Sequence, residues 1–205
     1  MKIVHISTIA AMLALSGCSV LKHNVKLEQP TEGPRARVRV VVPAVFNAYR
    51  GVRAFPNVDC LPDLNSPGNG NVVGPQFGFE ENLTGQKLGM PETPLSARED
   101  TKQAEIFVTA GQPIVFRYTG SAIAIRNAGT RFAVAHLCSF PVSFIPEAGA
   151  DYELEFGGHV DSCVFRLLRL DAPLTQLQAN RVDKCVVRRR SSFDTVDTVS
   201  SPVGR

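Results

Sequence analysis

The chain has 205 residues, with 22 Lys and Arg against 19 Asp and Glu. That near balance gives no general electrostatic case for a nucleic-acid partner, and the length suits one domain with a tail. Trp is absent, whereas 12 Phe and many Val supply a core that favours strands over helices.

Met1-Lys2 is a short basic start, and Ile6–Leu15 is an apolar run broken only by Ser7 and Thr8. Its length suits a secretory signal and is too short to span a bilayer. No second long apolar run follows. The stretch closes on Leu15-Ser16-Gly17-Cys18, which resembles the bacterial lipobox. The resemblance implies that residues 1–17 are a lipoprotein signal peptide. It also implies that Cys18 is lipidated and becomes the acylated first residue of the mature chain. Two or three acyl chains hold a protein stably, at roughly 0.8 kcal/mol per buried methylene. Ser19, rather than Asp, follows the anchor. By similarity to the enterobacterial sorting rule, this points to the outer membrane, facing the periplasm.

Residues 18–34 read as the lipidated Cys and a flexible tether, with 19–34 reaching at most about 55 Å. Arg35–Val42 alternates Arg35, Arg37 and Arg39 with Ala36, Val38 and Val40, which predicts a strand with one wet and one buried face. Gly51–Phe55 is a second short strand. Residues 56–94 are rich in Pro, Gly and Asn, and the Gly68–Gly74 stretch reads as turns, since neither a helix nor a Lys-Ser/Thr pair makes it a phosphate loop. A loop this long is usually functional or partly mobile. Ala104–Ala110 and Pro113–Tyr118 read as a hairpin about Gly111-Gln112. Ala122–Arg126 and Arg131–Ala135 pair through Asn127-Ala128-Gly129. Ser139–Ile145, Asp151–Phe156 and Cys163–Leu170 follow. Short strands with frequent turn signals predict an all-β fold. The fold class is thus a small, disulfide-stabilised antiparallel β-sandwich over 35–171. A C-terminal extension over 172–190 carries Cys185, with one or two helical turns in 173–180 and an edge strand in 183–190. A disordered tail fills 191–205.

Cys60, Cys138, Cys163 and Cys185 remain after Cys18, and an even number in an exported chain reads as two disulfides. Three pairings are open. If the last three strands form a meander, Cys138 and Cys163 sit two strand spacings apart, about 9–10 Å, beyond disulfide reach. That argues against Cys138–Cys163 and favours Cys60–Cys138 with Cys163–Cys185.

The segment Ser139–Glu153, an apolar strand followed by Pro146-x-x-Gly149-x-x-Tyr152, is similar to a loose group of uncharacterised bacterial cell-envelope lipoproteins with prealbumin-like β-sandwich domains. Tyr49–Cys60 and Leu88-Gly89-Met90-Pro91 resemble the same group. The resemblance implies fold and location alone. It makes Pro146 and Gly149 turn residues and packs Tyr152 on that turn.

No catalytic signature stands out. His136 and His159 lie near Cys138 and Cys163, so two His and two Cys could ligate zinc or copper, but their spacing matches no common module and export predicts oxidised thiols. Thr119-Gly120-Ser121 lacks a nucleophile elbow, and Asp59, Asp63, Glu80 and Glu81 are loop acids without a defined pair. Arg181, Lys184, Arg188, Arg189 and Arg190 form a basic patch suited to anionic headgroups, or simply to solvent. The expectation is a non-enzymatic binding or accessory module with no metal and no cofactor, anchored to the membrane and meeting an envelope protein partner. The alternative is a periplasmic hydrolase or metal-binding protein using His136 and His159.

Overall fold

Ala36, Val38, Val40 and Val42 form one apolar face of β1 (Arg35–Pro43), and all four are essentially inaccessible to solvent. The same alternation builds β2 (Arg50–Pro56), β4 (Thr101–Thr109), β5 (Ile114–Ile125), β6 (Phe132–Phe144), β7 (Asp151–His159) and β8 (Ser162–Arg169). Short strands β3 (Gly70–Val73), β9 (Thr175–Leu177), β10 (Asn180–Arg181), β11 (Val186–Val187) and β12 (Thr198–Val199) complete the set. The computed structural model describes residues 25–43, 50–64, 66–74, 81–125, 132–159, 162–171, 173–187 and 198–199, and none of these is helical.

Two five-stranded sheets run in the orders β4-β1-β7-β8-β9 and β10-β6-β5-β2-β3. All neighbours are antiparallel except β1 and β7, which are parallel, so the first sheet is mixed. The inner faces meet in one core. There Tyr118 stacks on Phe156 at 5.3 Å between ring centroids, and Phe144 packs on Tyr152 at 5.2 Å.

Gly111-Gln112 makes no hairpin. It carries the chain from β4 in one sheet to β5 in the other. Gly111 has φ 74° and donates its amide to the Pro146 carbonyl at 2.7 Å. Pro146–Ala150 is the matching crossing from β6 to β7. Gly149 adopts φ 76°, and the Tyr152 hydroxyl accepts the Glu147 amide at 2.9 Å. These crossings overturn the meander. β6 and β8 belong to different sheets and face each other, so Cys138 and Cys163 are bonded, with Cα atoms 5.7 Å apart. Cys60 pairs with Cys185, with Cα atoms 5.0 Å apart.

The breaks expected near 119–121 and 136–138 are absent, because β5 and β6 run through both in register. Gly120 is there for close packing: a Cβ would collide with the Tyr118 hydroxyl. The helical turns expected in 173–180 are instead β9 and β10, one on each sheet. Residues 175–181 of the expected extension therefore belong to the sandwich sheets. Val182 packs beside Phe55, Leu61 and Val115 on the outer face of the second sheet. In place of a 183–190 edge strand, Val186–Val187 pairs with Thr198–Val199 from the expected tail.

The second half of the expected tether is also part of the fold. Leu27 is 2% exposed, and its amide bonds the Asn71 carbonyl at 3.1 Å. The Gln29 side chain accepts the Phe107 amide at 2.8 Å. Residues 25–29 thus bridge the β3 edge of one sheet to the β4 edge of the other. Residues 175–185 close the opposite side, where Arg181 lies over the Phe140 and Phe165 rings.

Gly70 is what lets the first bridge sit down, since a Cβ there would collide with the Leu27 backbone. Gly70→Ala is expected to lower stability by about 1–3 kcal/mol through overpacking. The measurement is a urea midpoint shifted at unchanged slope, and an unshifted midpoint would remove the close approach from the account.

Candidate functional site

The polar centre of the molecule lies on the outer face of the first sheet. Because β1 sits between β4 and β7, Arg39 stands directly across from Glu105 on one side and Glu153 on the other. Nε and Nη2 of Arg39 donate to Glu105 Oε1 at 3.1 and 2.7 Å. Nη1 donates to Glu153 Oε2 at 3.1 Å. The remaining guanidinium protons reach the Pro91 carbonyl at 2.8 Å and the Met90 carbonyl at 3.1 Å. All five donors of the guanidinium are thereby used.

The roof over this row is the segment 87–97. Its Leu88 and Met90 amides both donate to Glu105 Oε2. Thr93 Oγ1 donates to Glu153 Oε2 at 2.7 Å. Thr93 and Ser96 cap each other, backbone amide to hydroxyl, at 2.9 and 3.0 Å. One step along β1, Arg37 grips Asp151 with two bonds of 2.7 Å and donates to the Leu88 carbonyl at 3.1 Å. The expected wet face of β1 is therefore wrong for Arg39, which is 1% exposed. The alternation was real, but the long loop folds back over it.

Burial alone would push the Glu105 carboxyl up. The Leu88 amide, the Arg39 guanidinium and the Met90 amide outweigh that and hold it below the ordinary carboxylate range. Glu153 Oε1 is buried without a hydrogen-bond partner. Arg39, Glu105 and Glu153 are closed to any solute, and their geometry is that of a lock between three strands and a loop.

The other residues singled out in the sequence are scattered. Cys18, Glu80 and Arg188–Arg190 lie outside the described residues, as do the side chains of His136 and His159. The backbones of His136 and His159 belong to β6 and β7, in different sheets. Cys138 and Cys163 are bonded to each other, which withdraws both thiols from a His and Cys metal site. Among the described residues no three His, Cys, Asp or Glu come together for a metal. Asp59, Asp63 and Glu81 lie outside the strands, in loops. Arg181 leaves the expected basic patch to pack on aromatic rings and donate to the Cys163 carbonyl at 3.3 Å. Lys184 is exposed.

Beside the bridge formed by residues 25–29 lies an open groove of about 260 Å³, lined by Leu27, Pro30, Asn57, Phe107 and Pro113 among others. Asn57 is in the left-handed region, with φ 61°. Among the described residues, Glu28 is the one ionisable residue along the groove's lining. Compared with protein-family models, with curated proteins and with solved structures, the chain matches none.

Sequence reasoning missed Glu105, Glu153 and Thr93. A usable signal existed for the first two, since Gln103-Ala104-Glu105 and Glu153-Leu154-Glu155 alternate acid or amide with apolar residues just as Arg37-Val38-Arg39 alternates base.

Arg39→Ala would leave two carboxylates buried without their counter-ion, and a loss of about 3–5 kcal/mol is expected in chemical denaturation. Because the folded pKa of Glu105 is depressed, its contribution is present above the ordinary carboxylate range and disappears as pH falls through the folded value. Glu105→Gln should therefore flatten the acid-side slope of stability against pH. An unchanged slope would show that other carboxylates set it.

Proposed function

We propose that this chain is a non-enzymatic binding or accessory module of the bacterial cell envelope, lipid-anchored through Cys18. The observation that carries the reading is the pair of disulfides. Cys60–Cys185 and Cys138–Cys163 consume all four cysteines beyond Cys18 and suit a chain that folds in an oxidising, extracytoplasmic compartment. The lipobox-like Leu15-Ser16-Gly17-Cys18 accounts for export and for attachment together. Ser19 after the anchor supports the outer membrane, facing the periplasm.

The best-built polar cluster is sealed and structural, which leaves recognition to sheet edges, loops and the open groove. The partner on this reading is another envelope protein, met by a domain already held at the membrane. The competing reading, a hydrolase or metal protein built on His136 and His159, loses its two nearest sulfur donors to a bond.

Mass spectrometry of native material tests the anchor. The expected species begins at Cys18 and carries a thioether-linked lipid and an acylated amino terminus, and Cys18→Ser should release the protein from the membrane fraction. A thiol titration should find no free sulfhydryl before reduction and four after it in the Cys18-blocked protein. An unmodified sulfur at position 18 would reject the anchor.

A further inference from the structure

We infer that the outer face of the second sheet binds a phosphate group, held between Arg53 and Arg117. The site goes beyond the accessory role proposed above and does not depend on the lipid anchor. Its first support is the way charge divides between the sheets. The whole chain is nearly neutral, but its two sheets are not alike. Glu105, Asp151, Glu153 and Glu155 are the acids within the described strands, and all four lie in the first sheet. Strands β2, β3, β5, β6 and β10 of the second sheet contain no Asp or Glu, and they carry Arg50, Arg53, Arg117 and Arg181.

The second support is the register. Arg53 on β2 stands directly across from Arg117 on β5. One step along the same face, Phe55 and Val115 are also directly opposed and belong to the apolar cluster on the outside of the sheet. The two-residue period therefore puts both arginines on that outer face. Cβ atoms of such a pair lie about 5 Å apart, and like charges directly opposite destabilise a sheet. The two guanidiniums lean to opposite sides. Arg53 Nε donates to Asn71 Oδ1 at 3.0 Å, toward β3. Arg117 donates from Nε and Nη2 to the Ser139 hydroxyl, both at 3.4 Å, toward β6. Asn71 is itself fixed, being 7% exposed and donating its Nδ2 to the Glu81 carbonyl at 3.2 Å. An oxyanion seated between the two forks offsets both positive charges, which the neutral Asn71 and Ser139 side chains do not.

The next row of the same face supplies the rest of the seat. Gly51 pairs with Thr119, and Thr119 with Ser139. Gly51 puts no side chain beside Arg53, whereas Thr119 and Ser139 add two hydroxyls. Arg53, Arg117 and Thr119 are half-buried and Ser139 is exposed, so the row is open to a solute. Two guanidinium forks with two hydroxyl donors suit the several oxygens of a phosphate better than the two of a carboxylate. A lipid headgroup and a dissolved phosphate present that same group.

The experiment uses residues 18–205 with Cys18→Ser, which keeps every described residue and leaves neither lipid nor signal segment to bind vesicles. Inorganic phosphate is compared with chloride at equal ionic strength. Phosphatidylcholine vesicles with and without phosphatidic acid are compared by cosedimentation. Phosphate should raise the melting temperature and shift the Nε–Hε resonances of Arg53 and Arg117. Arg117→Gln should bind phosphate about tenfold more weakly, Arg117→Lys should fall between it and the parent, and Arg166→Gln on the first sheet should bind as the parent does. In chloride alone Arg117→Gln should be at least as stable as the parent, because it removes a like-charge pair. Preferential binding to the phosphatidic acid vesicles assigns the group to a lipid headgroup, whereas binding to dissolved phosphate alone assigns a soluble ligand, and either result sustains the site. Phosphate that neither stabilises the protein nor shifts those resonances, or an equal loss of binding in Arg117→Gln and Arg166→Gln, overturns it.

Discussion

A guanidinium cannot shed its proton inside a protein, and it cannot be buried without partners. Arg39 meets both conditions at the centre of a covered sheet, and much of the architecture follows from how its charge is accommodated. Glu105 and Glu153 come from the two strands that flank β1, so the ion row runs across three strands at one level. The carbonyls of Met90 and Pro91 complete the shell, which obliges the loop to lie flat on the sheet. A well-packed apolar trio in the same places would often be equally stable or more so. What the charges add is definition. A slip of β7 by one residue would set Arg39 opposite Tyr152 or Leu154 and turn the apolar face of β7 away from the core.

Closure of the sandwich is the second consequence of chain routing. An open sandwich leaves two lateral gaps and four edge strands, each a template for unwanted pairing. Here the chain's own ends and its long loop cover most of this. Residues 25–29 and 81–86 cross from β3 to β4 on one side, with Leu83 bonding Val72 and Gly85 bonding Gln103. Residues 175–185 cross from β8 to β6 on the other, plugged by Arg181 and fixed at the end by Cys60–Cys185. The Cys138–Cys163 bond ties the two sheets together directly.

The all-β class, the strand cores and the presence of two disulfides among these four cysteines, though not which pairs with which, were legible because they depend on local pattern. Period-two alternation marks β1, β4 and β7 whatever lies around them, and an even cysteine count needs no geometry. What was not legible depended on which sheet each strand joins. Gly111-Gln112 has the composition of a hairpin turn and serves as a crossing, since nothing local distinguishes a return to the same sheet from a step to the opposite one. The disulfide assignment failed for that reason alone. Arg39 misled in another way: alternating arginines show two faces, but whether the polar face meets water or a roof is decided by a loop forty to sixty residues away. Leu27 carried no local signal of burial, because its partner surface is built by Gly70 and Asn71 far along the chain.

Native-state hydrogen exchange at the Leu88 and Met90 amides tests the ion row most directly, because these two groups belong to an irregular loop and are protected only if Glu105 holds them. Opening free energies approaching those of Val38 and Val40 in β1 are the predicted result. Exchange at the rate of unprotected loop amides would mean that the roof is not fastened to the sheet, and that Arg39 is not the centre of the fold.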